Sequence, residues 1–472
     1  MQRYTEITDK HLFEKSSWRK YQHSLKREAK KRSVFNLFKY ASVFTFMFMA
    51  VIAIIGGLNG NANSTSGKME QPETSVNILH QETYEETPVL VKKDVKRLLN
   101  DLPLANLKKE AFAVEVKGKK YLIDTTLDID LQNYISGKIK EYTSRKRYVS
   151  KQIGFVAMDP YSGKIRAMVG FNKNRSSENP CINSEFPAAS VFKIITAAAA
   201  IEKYGMNSDS KLNYNGRKYS LYKSQLKKKT NKYSHFTTLR KSFALSINPV
   251  FGKLGKLLLG QTVLTQYAKA FGFNRDINFE LDFDPSFITI TNEPYQLAEI
   301  ACGFNRETTI SPLHGALMAS VVLNNGILVE PTIIDRLTDH NRRILYRSHF
   351  TPIHQAITPH ASVVLADMMK ETIKSGTLRK AFRGYKKDRV LSRLRIGGKS
   401  GSIKNKARTA YIDWFVGYAH EKRGDEKLAI SVVVAHGKYR GVKAAHYARE
   451  AMKRYFGAYF AKNDSAQKKT KS

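Results

Sequence analysis

The stretch QIGFVAMDPYSGKIRAMVGF, residues 152–171, reads as two strands around a turn. Asp159–Pro160–Tyr161–Ser162–Gly163 is dense in turn formers: proline presets φ, glycine tolerates positive φ, and Asp and Ser bond their own backbone. Apolar runs on either side make it a hairpin. Working outward, strand patterning returns only near the far end of the chain, in LRIGGKSGSI (394–403), TAYIDWFVGYA (409–419) and LAISVVVAHG (428–437). Between about 185 and 375 the pattern is helical with loops, clearest in PYQLAEIACGF (294–304) and SPLHGALMASVVLNNGIL (311–328). AAHYAREAMKRYFGAYFAK (444–462) closes the chain as a helix. Two strands, a helical middle, then three strands and a helix make an α+β fold. The expected sheet is five-stranded and antiparallel, assembled from both ends of the domain, with a helical subdomain between them.

In the helical part, PAASVFKIITAAAAIEKYG (187–205) places a lysine inside an apolar, Ala-rich run, three residues after Ser190. Residues i and i+3 share a helix face, so Ser190 and Lys193 should stand side by side where the helix opens. An ammonium in apolar surroundings is destabilised and its pKa falls. A partly neutral lysine beside a serine is a general base beside a nucleophile. Ser-x-x-Lys alone is a common chance pattern, which an N-cap serine and a snorkelling lysine also produce.

The chain has 472 residues, with 79 Lys/Arg against 41 Asp/Glu, a formal net charge of +38. Such an excess points to nucleic acid, a membrane surface or an anionic polymer as neighbour. Two cysteines, Cys181 and Cys302, lack the number for a disulfide framework and the spacing of a zinc site; they read as buried thiols, a single disulfide being the alternative. Tyr40–Leu58 is a run of 19 residues without a charge, long enough to span a bilayer. Residues 1–39 before it carry 11 Lys/Arg and 4 Asp/Glu, which places the N-terminus in the cytoplasm and the rest outside. A cleaved signal peptide is the alternative, because NGNANSTSG after the span is small and polar, but the basic head and the apolar core are both too long for one. With the bulk of the chain outside the cytosol, no nucleic-acid partner is expected.

The expected organisation is a cytoplasmic basic tail (1–39), a transmembrane anchor (40–58) and a polar stalk (59–110) with a short helix near VKKDVKRLLNDL. A small lead-in hairpin and helix follow (111–149), then the large domain (150–462) and a basic disordered tail (463–472). The lead-in hairpin is AFAVEVKG and KKYLIDTTL, and its helix is DIDLQNYISGKIKEYTSRK.

Two further motifs fall on this layout: Ser246–Ile247–Asn248 in the helical middle, and Lys399–Ser400–Gly401–Ser402 on the strand that starts the C-terminal half. Each is weak alone. In the order Ser-x-x-Lys, Ser-x-Asn, Lys-Ser/Thr-Gly they are specific, and over about residues 120–460 the chain resembles the penicillin-binding protein transpeptidase family. TTLDIDLQ (125–132), the 152–171 hairpin, ISPLHGALMASVVLNNG, ETIKSGTL and DWFVGY are similar to segments of that family in the same order.

The resemblance implies a β-lactamase/transpeptidase-like domain and a serine acyl-transferase acting on peptidoglycan stem peptides. Ser190 would be the acylated nucleophile and Lys193 its base, helped by burial and by the nearby charge of Lys399. Ser246 would relay a proton between the lysines, and Asn248 would bond the substrate's backbone amide. Lys399 would attract the substrate's terminal carboxylate, the Ser400 and Ser402 hydroxyls would bind it, and Gly401 would let the strand approach the substrate. The backbone N–H groups of Ser190 and Ser402 would form the oxyanion hole. No metal or cofactor is implied. Implied partners are peptidoglycan stem peptides, β-lactam antibiotics as inhibitors, the membrane through one helix, and other cell-wall synthesis proteins. The implied location is the bacterial inner membrane, with the catalytic domain outside the cytoplasm.

The third motif departs from the family's Lys-Thr-Gly-Thr, with serines in place of both threonines; the hydroxyls survive with looser rotamers. No Glu-x-x-Leu-Asn motif and no glycosyltransferase-like block are found, which favours a cross-linking D,D-transpeptidase over a β-lactamase or a glycan polymerase. A D,D-carboxypeptidase on the same site, or a catalytically weak β-lactam-binding wall scaffold, are the alternatives. One segment falls outside the motifs: Lys211–Lys241 holds ten Lys/Arg and no acid. Lying just before Ser246, it would border the cleft and draw in anionic donors, or simply face solvent.

Overall fold

The computed structural model describes residues 90–99, 106–107, 109–144, 150–175 and 178–469. The expected cytoplasmic tail, the Tyr40–Leu58 span and most of the stalk lie outside them. Among the described residues no helix is long and apolar enough to cross a membrane.

The chain enters through helix α1 (Lys92–Leu99), at the end of the expected stalk. Val95 and Leu99, one turn apart on one face, are buried in the main core, and the Lys92 ammonium pairs with Glu330 at 2.9 Å. This end of the segment is therefore packed against the body. Strands β1 (Ala111–Val116) and β2 (Lys119–Thr125) form the expected hairpin, and α2 (Ile129–Thr143) follows, capped by Asp128 accepting from the Leu131 N–H at 2.9 Å.

Strands β3 (Ser150–Met158) and β4 (Ile165–Asn172) are the hairpin of the opening stretch. A 3₁₀ turn, Ala189–Phe192, leads into α3 (Lys193–Tyr204). The helical middle then contains a short ribbon, β5 (Lys211–Tyr214) with β6 (His235–Thr238). Helices α4 (Leu239–Ala244), α5 (Asn248–Lys253), α6 (Gly260–Ala270), α7 (Pro294–Cys302) and α8 (Pro312–Leu323) follow. Next come β7 (Ile327–Val329), β8 (Ile334–Asp339), β9 (Ile344–Arg347) and β10 (Pro352–Gln355), then α9 (Pro359–Lys374). The chain ends with β11 (Leu394–Lys404), β12 (Tyr411–Glu421), β13 (Lys427–His436) and α10 (Ala444–Lys469).

The five-stranded sheet has the order β11-β12-β13-β3-β4, antiparallel throughout, so the two ends of the domain join where β13 pairs with β3. Both of its faces are covered. Along β13, Leu428, Ile430, Val432 and Val434 face one core with α2 and α10, while Ala429, Val433 and Ala435 face the other with α3 and α8. A strand buried on both faces reads as a continuous apolar run, which is what LAISVVVA is.

The lead-in hairpin is part of a second, four-stranded sheet of order β1-β2-β8-β9. Ile123 sits opposite Leu337, so residues 111–125 and the middle of the chain share one sheet. The final helix runs to Lys469, past residue 462 and into the expected tail, because AKNDSAQKK holds no Gly or Pro to stop it. Cys181 and Cys302 are both free and buried.

Candidate active site

Ser190 lies in the 3₁₀ turn and Lys193 is the first residue of α3. In a 3₁₀ turn residues i and i+3 eclipse, and the Lys193 Nζ reaches Ser190 Oγ at 2.7 Å. The turn begins at Ala189 with φ 49, a conformation that costs a non-glycine residue about 1–3 kcal/mol. Gly303 holds it there: at φ 67 its bare Cα packs on Ala189, and a Cβ would fall 1.8 Å from the Ala189 carbonyl oxygen.

Lys193 has no exposed surface. Its other two ammonium hydrogens go to Asn248 Oδ1, at 2.8 Å, and to the Cys302 carbonyl. That carbonyl ends α7 and has no partner within the helix. The end of a helix carries partial negative charge, which suits an ammonium. Thr196 Oγ1 donates in the same way to Ala301 O at 2.7 Å, so α3 is docked on the C-terminus of α7. Burial brings Lys193 down from 10.5 to about 8, against the favourable contribution of Cys302.

Asn248 opens α5 and is fixed at both ends of its amide. Its Oδ1 takes Lys193, its Nδ2 donates to Tyr219 O at 3.1 Å, and its backbone N–H donates to Lys218 O at 2.7 Å.

Ser246 occupies the turn between α4 and α5 at φ 56, another strained non-glycine position. Its Oγ accepts from Lys399 Nζ at 3.0 Å. Lys399, fully buried on β11, also donates to Ser400 O at 2.8 Å. Its pKa is held well below the ordinary lysine range, first by burial and second by the Lys193 charge. For Lys193 itself burial is the cause, and the repulsion between the two lysines shows on Lys399. The two ammoniums stand over neighbouring rings, Lys193 5.6 Å from the Phe251 centroid and Lys399 5.7 Å from that of Phe243.

The sequence-selected residues thus form two hydrogen-bonded groups, Ser190–Lys193–Asn248 and Ser246–Lys399. Alternation along β11 puts Lys399 and Gly401 on one face and Ser400 and Ser402 on the other. Gly401 makes its close approach to the nucleophile's own turn: a Cβ there would meet Ala189 Cβ at 3.2 Å and Val191 Cγ1 at 3.3 Å. The Ser400 hydroxyl is bonded to Thr377 Oγ1 at 2.6 Å. The Ser402 hydroxyl donates to Asp413 Oδ1 at 3.2 Å. Asp413 is buried, its pKa is raised by that burial, and its Oδ2 accepts from the Ala444 N–H at the start of α10.

Thr377, Asp413 and the Cys302 carbonyl escaped the sequence reading as site residues. Thr377 stands in ETIKSGTL and Asp413 in DWFVGY, segments visible beside the third motif. A backbone carbonyl leaves no mark in a sequence.

Among known proteins, the chain is 24% identical over 333 residues to peptidoglycan D,D-transpeptidase PbpA of Mycolicibacterium smegmatis, covering 60% of this chain and 61% of that one. It is 25% identical over 362 residues to stage V sporulation protein D of Bacillus subtilis, covering 69% and 54%. The chain thus spans less than two thirds of the length of either relative. Among solved structures, the D,D-transpeptidase domain of a peptidoglycan glycosyltransferase from Eggerthella lenta superposes with a TM-score of 0.57 at 22% identity, covering 71% of this chain and 83% of that one. A family model described as the penicillin binding protein transpeptidase domain matches residues 153–453, a span that takes in all but the first residues of the hairpin, all three motifs and the closing strands. The chain belongs to the penicillin binding protein transpeptidase family.

Proposed function

We propose that the chain is a D,D-transpeptidase that cross-links peptidoglycan stem peptides through an acyl-enzyme on Ser190. One observation carries the reading: a fully buried lysine gives its three ammonium hydrogens to a serine hydroxyl, an asparagine oxygen and a helix-terminal carbonyl. That is a base held in place beside a nucleophile, with its pKa brought toward the working range.

In its neutral form Lys193 accepts the Ser190 proton as Oγ attacks the carbonyl carbon of the penultimate D-Ala. The backbone N–H groups of Ser190 and Ser402 receive the charge that develops on the carbonyl oxygen. Collapse breaks the peptide bond, and the departing D-Ala amine takes a proton through Ser246 and Lys399. The amine of a second stem then attacks the acyl-enzyme, forms the new peptide bond and returns the proton to Ser190. The Lys399 charge attracts the donor's terminal carboxylate, and the hydroxyls of Ser400, Ser402 and Thr377 flank that strand. Asn248 keeps one lone pair and one N–H for the donor backbone. Residues 40–58 hold this domain at the outer face of the bacterial inner membrane.

Labelling the full chain with a fluorescent penicillin tests the reading. Ser190→Ala is expected to abolish covalent labelling and leave thermal unfolding nearly unchanged. Labelling that persists overturns the assignment. A D-Ala-D-Ala peptide supplied with an amine acceptor should give the cross-linked product; release of D-Ala with hydrolysed acid alone would identify a carboxypeptidase.

A further inference from the structure

Residues 211–241 form an arm that the proposed reaction does not use. It carries Tyr219, Tyr222, Tyr233 and Phe236, each between 62% and 77% exposed. Scattered exposed rings are ordinary, but four within one short arm are a concentration of apolar surface left in water.

These rings stand on a fixed frame. The buried Gln225 side chain donates to Asn215 O at 2.8 Å and Arg217 O at 3.3 Å. It accepts from the Tyr222 N–H at 2.9 Å and from Ser220 Oγ at 3.1 Å. Ser234 Oγ closes the other side on Asn215 Oδ1 at 2.6 Å. Asn213 pairs with Phe236 and Tyr214 with His235 in the ribbon. All four rings therefore branch from backbone within three residues of one hydrogen-bonded knot, and a surface ordered in advance loses less entropy when it binds.

The arm is continuous with the site. Asn248 holds the carbonyls of Lys218 and Tyr219, and the Tyr295 hydroxyl on α7 donates to Leu221 O at 2.7 Å. Through Asn248 the backbone of the arm is one hydrogen bond from Lys193, the partner of the nucleophile. Its charge is one-sided, with ten Lys/Arg and no Asp/Glu. Lys232 lies 5.2 Å from the Tyr233 ring centroid, so ring and ammonium share one patch.

We propose that this arm is a docking surface for the acidic glycan strand that carries the donor peptide. Sugar rings present faces of C–H groups, which pack on the electron-rich faces of tyrosine and phenylalanine. Lysines between the rings meet the carboxylates of stems along the strand. The surface holds the polymer while the cleft takes one peptide, and the two are linked through Asn248. The inference rests on the transpeptidase reading for the identity of the polymer.

Co-sedimentation of the full chain in detergent tests it, with insoluble peptidoglycan stripped of attached anionic polymers in one arm and vesicles of anionic phospholipid in the other. Penicillin acylation is measured in parallel and reports an intact fold and cleft. The triple variant Tyr222→Ala, Tyr233→Ala, Phe236→Ala is expected to bind peptidoglycan about tenfold more weakly at every salt concentration. The variant Lys227→Gln, Lys229→Gln, Lys232→Gln should lose binding at low salt and match wild type at high salt. Both should be acylated within about twofold of the wild-type rate, since neither alters the Ser190 environment. Unchanged peptidoglycan binding by the aromatic variant overturns the proposal. So does a loss of vesicle binding with glycan binding intact, which would make the arm a lipid-facing surface. A wild-type chain that penicillin acylates but peptidoglycan does not retain removes the docking surface and leaves the reaction standing. A chain that binds peptidoglycan and resists acylation removes the reaction alone.

Discussion

Gly303 is packed so closely on Ala189 that the two left-handed residues, at φ 67 and φ 49, fix each other. Gly303→Ala would place a methyl on the Ala189 carbonyl and push the turn that carries Ser190. A displacement of about 1 Å at a nucleophile costs on the order of a hundredfold in rate. Acylation by a fluorescent penicillin should fall by about that factor, with a stability loss of about 1–3 kcal/mol in thermal unfolding. Wild-type acylation by this variant would show that the turn keeps its place without the contact.

Lys193 titrates near 8 where a free lysine titrates at 10.5, and the base is the neutral form. The acylation rate is expected to climb about tenfold per pH unit up to that point and then level. Lys193→Arg should be as inactive as Lys193→Ala, because arginine does not give up its proton.

The same shift sets a stability slope. Below pH 8 both folded and unfolded chains hold the Lys193 proton, and the burial penalty is full. Between pH 8 and 10.5 the unfolded chain binds more protons at this site, so folding gains as pH rises. Urea denaturation of wild type and Lys193→Met at pH 7 and 9.5 should therefore show the difference moving toward wild type at the higher pH. A pH-independent difference would mean that the buried amine is not the group responsible.

Thr377 is exposed, and its hydroxyl bonds the Ser400 hydroxyl at 2.6 Å. Thr377→Val keeps the shape and removes the bond. Acylation by a donor with a free terminal carboxylate should drop by about 5-fold, the scale of about 1 kcal/mol expected for one hydrogen bond, and thermal unfolding should stay within about 0.5 kcal/mol. An equal drop with a donor amidated at its terminus would place Thr377's effect away from the carboxylate.

A protease added to spheroplasts should remove the large domain and spare a tag fused at residue 1. This follows from the basic residues before Tyr40–Leu58. Digestion of the tag, or a soluble product starting near Asn61, would contradict that topology.

The central sheet was legible because its strands are long and buried on both faces, so apolar runs such as Val432–Val433–Val434 stand out. The short strands were not. Ile334–Asp339 and Ile344–Arg347 span too few residues to display alternation, and β8 finds its partner more than 200 positions away at Tyr121–Thr125. They lie within residues 185–375, where the sequence pattern reads as helical with loops. At the site, residue types and spacing pointed to Ser190, Lys193, Ser246, Asn248 and Lys399, but not to the pairing of Asn248 with Lys193 or of Ser402 with Asp413. Those depend on backbone placement, including positive φ at Ala189 and Ser246, which neither residue type announces.

The pairing of β13 with β3 sets Val433 opposite Gly154. The sheet therefore cannot close until the chain has been synthesised as far as β13, some 280 residues after β3. Ser190 and its helix emerge early, while Lys399 and the strand that bears it emerge late. Assembly of the site waits on the slowest kind of event, the meeting of distant segments. Until then the apolar hairpin at 150–172 remains without its central partner, and it is in this interval that the protein is most exposed to aggregation and proteolysis.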